Sequence, residues 1–255
     1  MRRWHHEVSA EWLVARQQVI TATDVVNLLP EYKRYVKAGS PDDKIFPGFA
    51  ALWCKKHSNV YLDTSSTDAA ARGHIMEPYA IDSWNRQADP KFEHWDDCVI
   101  VNGIYGFSPD ALTVRQRLCC RDTEKSVKHS MIPSHAEVME VKCYMPEQHM
   151  KSFIEGHMDH KEIMQVAMAF KVLDKLEVAR ILWFCPGAPI SMFEEHYTRQ
   201  ELNQEIGTIR KVVEAYEKQA ELCEQKVPNI KAMYTEEEIY MDYIASMQGG
   251  EFMLK

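Results

Sequence analysis

Glu140 and Lys142 stand two residues apart in the run Val138-Met139-Glu140-Val141-Lys142-Cys143-Tyr144, and upstream of it Ser108-Pro109-Asp110 places a further carboxylate at a turn. Period-two alternation makes the run a strand with Met139, Val141 and Cys143 on one face and Glu140 with Lys142 on the other. A carboxylate and an ammonium in the middle of an apolar strand are costly to bury unless something pairs with them, and a metal ion would do so. Metal-assisted phosphodiester hydrolysis needs carboxylates to fix the metal, an oxygen to complete its shell and a cation near the attacking water, and Mg²⁺ prefers such hard oxygen ligands. Asp110 and Glu140 are therefore candidate ligands and Lys142 the candidate cation. An isolated E-x-K is most often a solvated edge pair. Here it belongs to an ordered set: an S-P-D turn, a hairpin, the E-V-K strand, and a helix bearing Gln165 beside its apolar stripe.

These parts have to be positioned by the surrounding elements. Glu11 to Ile20 reads as a helix tightly linked to a second, short helix capped by Thr23 or Asp24 and followed by Pro30. Residues 38–48 read as a loop. A helix capped by Thr67 or Asp68 runs to Glu77, where Pro78 kinks or restarts it. Cys98 to Ile104 reads as a strand, with turns at Gly103 and Gly106. Asp159 and Glu162 form a capping box for a helix with the stripe Ile163, Val166 or Ala167, Phe170 and Leu173, packed on the sheet. Arg180 to Cys185 is a strand stopped by Pro186-Gly187. Thr198 with Glu201 opens a long helix on which Leu202, Ile206, Ile209, Val213, Tyr216, Ala220 and Cys223 recur at alternating four and three.

At 255 residues, 45% hydrophobic and 27% charged, the chain can bury one sizeable α/β core. No apolar run is long enough to span a bilayer, and Met1 to His6 lacks the apolar stretch of a secretory signal, so a soluble, intracellular protein is expected. Seven cysteines with no C-x-x-C pair argue for reduced thiols over a disulfide framework or a four-cysteine metal site. The net charge of −8 argues against nucleic acid only if read globally, because carboxylates gathered around metal ions contribute to it while local basic patches bind.

The chain resembles the lambda-type (YqaJ-like) phage recombination exonucleases of the PD-(D/E)xK nuclease superfamily over most of residues 10–225. The matching segments are Trp12-Leu13-Val14-Ala15-Arg16 with Val19-Ile20-Thr21-Ala22-Thr23, Arg72-Gly73-His74-Ile75-Met76-Glu77-Pro78, Ser108-Pro109-Asp110-Ala111-Leu112, Glu140-Val141-Lys142-Cys143 and Met164-Gln165-Val166. The resemblance implies an α/β restriction-endonuclease-like core with a central mixed sheet flanked by helices, in one exonuclease domain over residues 1–225, with a C-terminal extension over 226–255. It implies 5′-to-3′ digestion of linear double-stranded DNA from 5′-phosphorylated ends, leaving 3′ single strands for recombination by annealing. It further implies Mg²⁺, replaceable by Mn²⁺, with two ions per site. One ion would be held by Asp110, Glu140 and the Val141 carbonyl, with Glu77 helping to hold the second. Lys142 would orient or activate the water, Gln165 would support Lys142 or the phosphate, and Arg16, Thr23 and Ser108 would bind the 5′-phosphate. A homotrimer around the duplex, a single-strand annealing partner and a cytoplasmic location, the host's if the gene is a phage's, complete the expectation. Three departures stand out: Thr23 where such enzymes often have Ser, Ala167 in place of a second Gln, and a long charged segment from Thr113 to Glu137. The alternatives are a structure-specific endonuclease or repair nuclease on the same fold, or a non-catalytic DNA-binding scaffold.

Other chemistry-bearing residues read more simply. His135, His157 and His160 are surface or helix-entry residues before they are ligands, Trp12 and Trp84 are core or interface fillers before they are base-stacking platforms, and Cys143 is a small buried hydrophobe.

Overall fold

The computed structural model describes residues 10–57, 68–95, 98–113, 126–133, 135–156 and 159–226. Four helices come first: α1 (Ala10–Gln17), α2 (Ala22–Lys37), α3 (Pro47–His57) and α4 (Asp68–Gln87). Short strands follow: β1 (Glu93–His94), β2 (Val99–Asn102), β3 (Tyr105–Phe107), β4 (Ala111–Leu112) and β5 (Ser126–Lys128). The chain continues through β6 (Val138–Lys142), α5 (Pro146–Glu155), α6 (His160–Val172), β7 (Val178–Phe184), β8 (Met192–Thr198) and α7 (Asn203–Lys226).

The main sheet is five-stranded and mixed, in the order β1-β4-β6-β7-β8. β6 and β7 run parallel because α5 and α6 carry the chain back between them, whereas β4 and β8 flank them antiparallel. A smaller sheet, β3-β2-β5, packs on α6 through β2 and β3. Period-two alternation sends the two faces of β6 and β7 into different cores. Met139, Val141, Cys143, Leu182 and Phe184 pack with Ala80, Ile81 and Trp84 of α4. Val138, Ala179, Ile181 and Trp183 pack on the other face, in the larger cluster with α2, α3, α6 and α7. Each fully buried aliphatic side chain contributes about 1.5–3 kcal/mol, so the register of β6 that aims Glu140 and Lys142 is held by its apolar neighbours.

The capping box at Asp159 and Glu162 forms as the sequence suggests, with Asp159 accepting from the Lys161 N–H at 3.2 Å and Glu162 Oε2 accepting from the Asp159 N–H at 3.1 Å. The facing partner of α6 is broader than a sheet, because Met164, Val166, Ala167, Met168, Ala169, Phe170 and Val172 are all buried and wrap most of its circumference. The stripe of α7 is buried at Leu202, Ile209, Val213, Tyr216 and Cys223, with Ile206 and Ala220 packed partly against the core. Thr198 and Glu201 bond one another as expected, but the helix itself begins at Asn203.

Several expectations fail for identifiable reasons. The cap of α2 is Thr21, in a capping box with Asp24, and not Thr23 or Asp24. α2 continues past Pro30 to Lys37, and α4 past Pro78 to Gln87. Both prolines lie on exposed sides, where solvent can take up the carbonyl each leaves unbonded. The 38–48 loop ends early because Pro47 starts α3, a position that needs no N–H. Gly103 turns the chain at φ +59°, but Gly106 lies inside β3, where any Cβ would meet Val19. Cys98 is disulfide-bonded, a state that spacing cannot reveal, while Cys54, Cys143, Cys185 and Cys223 are free. Thr67, His157, most of the Thr113 to Glu137 segment and all of 227–255 lie outside the described residues. Among the described residues, no helix is long and apolar enough to cross a membrane.

Candidate active site

β4 is only two residues long, so its ladder with β6 ends at the pair Ala111 and Met139. Asp110 takes over from there. Its N–H donates to the Met139 carbonyl at 3.1 Å, its carbonyl accepts from the Trp95 N–H at 2.9 Å, and its Oδ2 accepts from the Val141 N–H at 2.6 Å. The carboxylate thus replaces a missing strand partner and is fixed against the edge of β6. In a strand the N–H and C=O of one residue point to the same edge, so the Val141 carbonyl is directed towards Asp110 as well.

Glu140 is buried, at 6% exposure, and its Oε1 accepts from Lys142 Nζ at 2.6 Å. Burial, reinforced by the charges of Glu140 and Glu77, holds the Asp110 carboxyl well above its ordinary range. Burial alone would lower Lys142, but the carboxylates of Glu140 and Asp110 outweigh it and raise the ammonium above its usual value. The geometry therefore brings Asp110, Glu140, Lys142 and the Val141 backbone together, with Glu77 close enough for its charge to act on Asp110.

Glu77 projects from α4 between two imidazoles. His74 Nδ1 lies 3.2 Å from its Oε1 and His94 Nε2 lies 3.7 Å from its Oε2. Burial pushes the Glu77 carboxyl up, but the two histidines outweigh it and pull it down to about 2. Gln165 is half-buried on α6, one turn beyond Glu162, whose carboxylate accepts from the Tyr144 hydroxyl. Arg72 Nη1 donates to the carbonyl of Cys143 at 2.5 Å and of Tyr144 at 3.4 Å, which pins the exit of β6. Among the described residues, no three His, Cys, Asp or Glu side chains close into a ready-made metal cage.

The expected phosphate pocket is assembled less completely. Arg16 lies over the Trp12 ring, 4.8 Å from its centroid. Burial lowers its guanidinium against the raising charges of Asp24 and Glu140, which places α1 within electrostatic reach of the β6 carboxylate. Thr21 and Asp24 occupy the start of α2, and Lys56 reaches in from α3 to bond Asp24 at 2.9 Å together with the carbonyls of Val19 and Arg16. Thr23 is half-buried in that first turn. The Ser108 hydroxyl donates to the Cys98 carbonyl at 2.7 Å. No hydrogen bond among the described residues joins Arg16, Thr23 and Ser108.

His135 and His160 are exposed. Trp84 is buried, with Nε1 donating to the Pro90 carbonyl, and Cys143 is buried in the α4-side core with its thiol pushed up to about 12 by burial first and by Glu77 next. Sequence reasoning did not single out His94 or Lys56, and gave Arg72, His74, Tyr144 and Glu162 no site role beyond their place in a segment, strand or capping box. His74, one helical turn before Glu77, carried a local signal. His94 carried none, because a two-residue strand has no periodicity to read.

No protein-family model matches the chain, and no curated protein matches it by sequence. Its fold is similar to the crystal structure of an alkaline exonuclease, LHK-Exo, from Laribacter hongkongensis, with a TM-score of 0.56 and 16% identity over 86% of this chain and 98% of that one. The structure of LHK-Exo in complex with dAMP aligns with the same TM-score and coverage at 18% identity. The fold is that of an alkaline exonuclease. The central mixed sheet flanked by helices that the sequence leads one to expect is observed. Within the alkaline-exonuclease fold of this chain, the site described above sits where β4 stops and β6 continues.

Proposed function

We propose that the protein is a metal-dependent exonuclease that digests linear double-stranded DNA 5′ to 3′. The observation that carries this reading is the convergence of Asp110, Glu140 and Lys142 on one edge of β6, with the Val141 backbone between them. The likeness to LHK-Exo supports it, and so does that enzyme's complex with dAMP, a mononucleotide of the kind an exonuclease releases.

The donor set fits a hard divalent cation. Buried Asp110 is crowded by the charges of Glu140 and Glu77, which outweigh the opposing charge of Lys142, and the cluster's oxygens are the type Mg²⁺ and Mn²⁺ take. Asp110, Glu140 and the Val141 carbonyl would hold one ion, and Glu77 would help to hold a second. When bound, such ions polarise the phosphodiester and lower the pKa of a bound water. Lys142, kept cationic by its carboxylate neighbours, orients the attacking water and offsets charge on the phosphate by donating hydrogen bonds, and does not act as a base. Gln165 supports Lys142 or the scissile phosphate from α6. Arg16, with Thr23 and Ser108, receives the 5′-terminal phosphate; Arg16 has the charge and fork geometry for it. The same reading takes the enzyme to act as a cytoplasmic homotrimer that passes the 3′ single strand to an annealing protein.

The test is digestion of linear duplex carrying a 5′-phosphate, with product length read out. Mononucleotides formed only with Mg²⁺ or Mn²⁺, and a loss of at least about 10²-fold in Glu140→Gln, are expected. Oligonucleotide products would favour endonucleolytic cleavage on the same fold, a reading that the occupied start of α2 keeps in play. Undiminished activity in excess chelator would remove the metal chemistry.

A further inference from the structure

We infer that His74 and His94 are positioning residues that hold the Glu77 carboxylate in the site, and that the site's affinity for a divalent cation depends on them. This rests on the metal-dependent reading above. Glu77 is 13% exposed at its side chain and its charge acts on Asp110, itself crowded by Glu140. A largely buried carboxylate beside a like charge is driven outward, towards water. What opposes that drive is the pair of ring nitrogens, one on each oxygen: His74 Nδ1 at Oε1 and His94 Nε2 at Oε2.

The two imidazoles arrive from different elements, which distinguishes this clamp from a helix-surface pair. His74 lies on α4, one turn before Glu77. His94 belongs to β1, where its register partner is Ala111, the residue after Asp110, and where the next N–H, that of Trp95, donates to the Asp110 carbonyl. β1 therefore fixes Asp110 through its backbone and Glu77 through the side chain of His94. A shift of β1 moves both carboxylates together, so their separation is kept by one short strand. Partners of this kind, which bond a ligating carboxylate without touching the ion, typically govern metal affinity by about 10- to 100-fold.

The experiment is calorimetric titration of the full-length protein with Mn²⁺, and separately with Mg²⁺, without DNA. His74→Ala and His94→Ala are each expected to weaken binding of both ions by about 10- to 100-fold, with thermal melts confirming that each variant is folded. His74→Asn and His94→Gln, which place an amide N–H near the lost ring nitrogen, are expected to restore most of it. Alanine variants that bind both ions like the unmodified protein would overturn the inference while leaving the metal reading intact. Amide variants that stay as weak as alanine and lose Mn²⁺ selectively would also overturn it, since the imidazoles would then be ligands themselves. An unmodified protein that takes up neither ion would overturn the metal reading and the inference with it.

Discussion

Replacing Lys142 with methionine removes a charge that lies 2.6 Å from Glu140 Oε1, in a pair whose side chains are 15% and 8% exposed. At an effective dielectric of about 20, unit charges this close attract by about 6 kcal/mol, most of it offset by the desolvation both groups have undergone. The offset is already present in the folded protein, so removing one partner leaves the other buried and unpaired, at a cost of about 3–5 kcal/mol. Lys142→Met should fall at the upper end, because Glu140 is then left beside Asp110 with no ammonium between them. Glu140→Gln should fall lower, since Asp110 still faces the lysine. The double variant keeps neither charge, and isosteric replacement of a buried pair is often neutral, so its loss should be about 0–2 kcal/mol and far below the sum of the singles. Urea unfolding at pH 7 in chelator measures all four proteins. Addition of Mg²⁺ should return part of the stability of Lys142→Met, by supplying positive charge to the carboxylates. Additive losses, or a single loss under about 1 kcal/mol, would show a solvated pair and refute the reasoning.

Three further outcomes follow from the geometry. Burial and the charges of Glu140 and Glu77 raise the Asp110 carboxyl above 3.8 in the folded state, so this group's contribution to stability is greatest at low pH and declines as pH rises from the unfolded value to the raised folded one. Asp110→Asn in chelator should therefore raise the Tm at pH 7, by about 2–4 °C for each kcal/mol of repulsion relieved, and should not raise it at pH 3; a lower Tm at pH 7 would contradict this. Gly106→Ala should cost about 1–3 kcal/mol or more in urea unfolding, because its Cβ would lie 2.1 Å from Val19 Cγ2 in a strand whose Gly106 N–H also bonds the Ile20 carbonyl. Thr21→Ala should cost about 1 kcal/mol as the true cap of α2, whereas Thr23→Ala should stay within about 0.5 kcal/mol; the reverse order would move the cap.

What the sequence made legible was local. The alternation from Val138 to Cys143 fixes both the strand and the shared face of Glu140 and Lys142, since in a strand two residues' separation is enough to bring side chains together. The capping box at Asp159 and the stripe from Leu202 to Cys223 are legible for the same reason, their partners being three or four residues away. What stayed hidden depends on distant partners. Pro30 and Pro78 do not end their helices: both lie on exposed sides of helices that the rest of the fold holds in place. The pairing of β1 with β4, and with it His94, is invisible in a segment of two residues. The link from Lys56 to the carbonyls of Arg16 and Val19 joins α3 to the α1–α2 connection across a separation that no spacing rule spans.

The shortness of β4 ties fold to site. A strand two residues longer would pair with Val141 through its backbone, and Asp110 would be an ordinary turn residue. Because the ladder stops at Met139, the Val141 N–H needs a partner, and a carboxylate meets that need with a charge-assisted bond of 2.6 Å. The same bond draws Asp110 to the edge where Glu140 already stands, and α4 adds Glu77, so three carboxylates share a buried corner with one lysine. Their like charges repel, and the raised Asp110 carboxyl registers it. The apolar packing of Met139, Val141 and Cys143 on the opposite face keeps β6 from twisting away to relieve the repulsion. On the metal-dependent reading proposed above, divalent cations would supply the positive charge that this corner lacks.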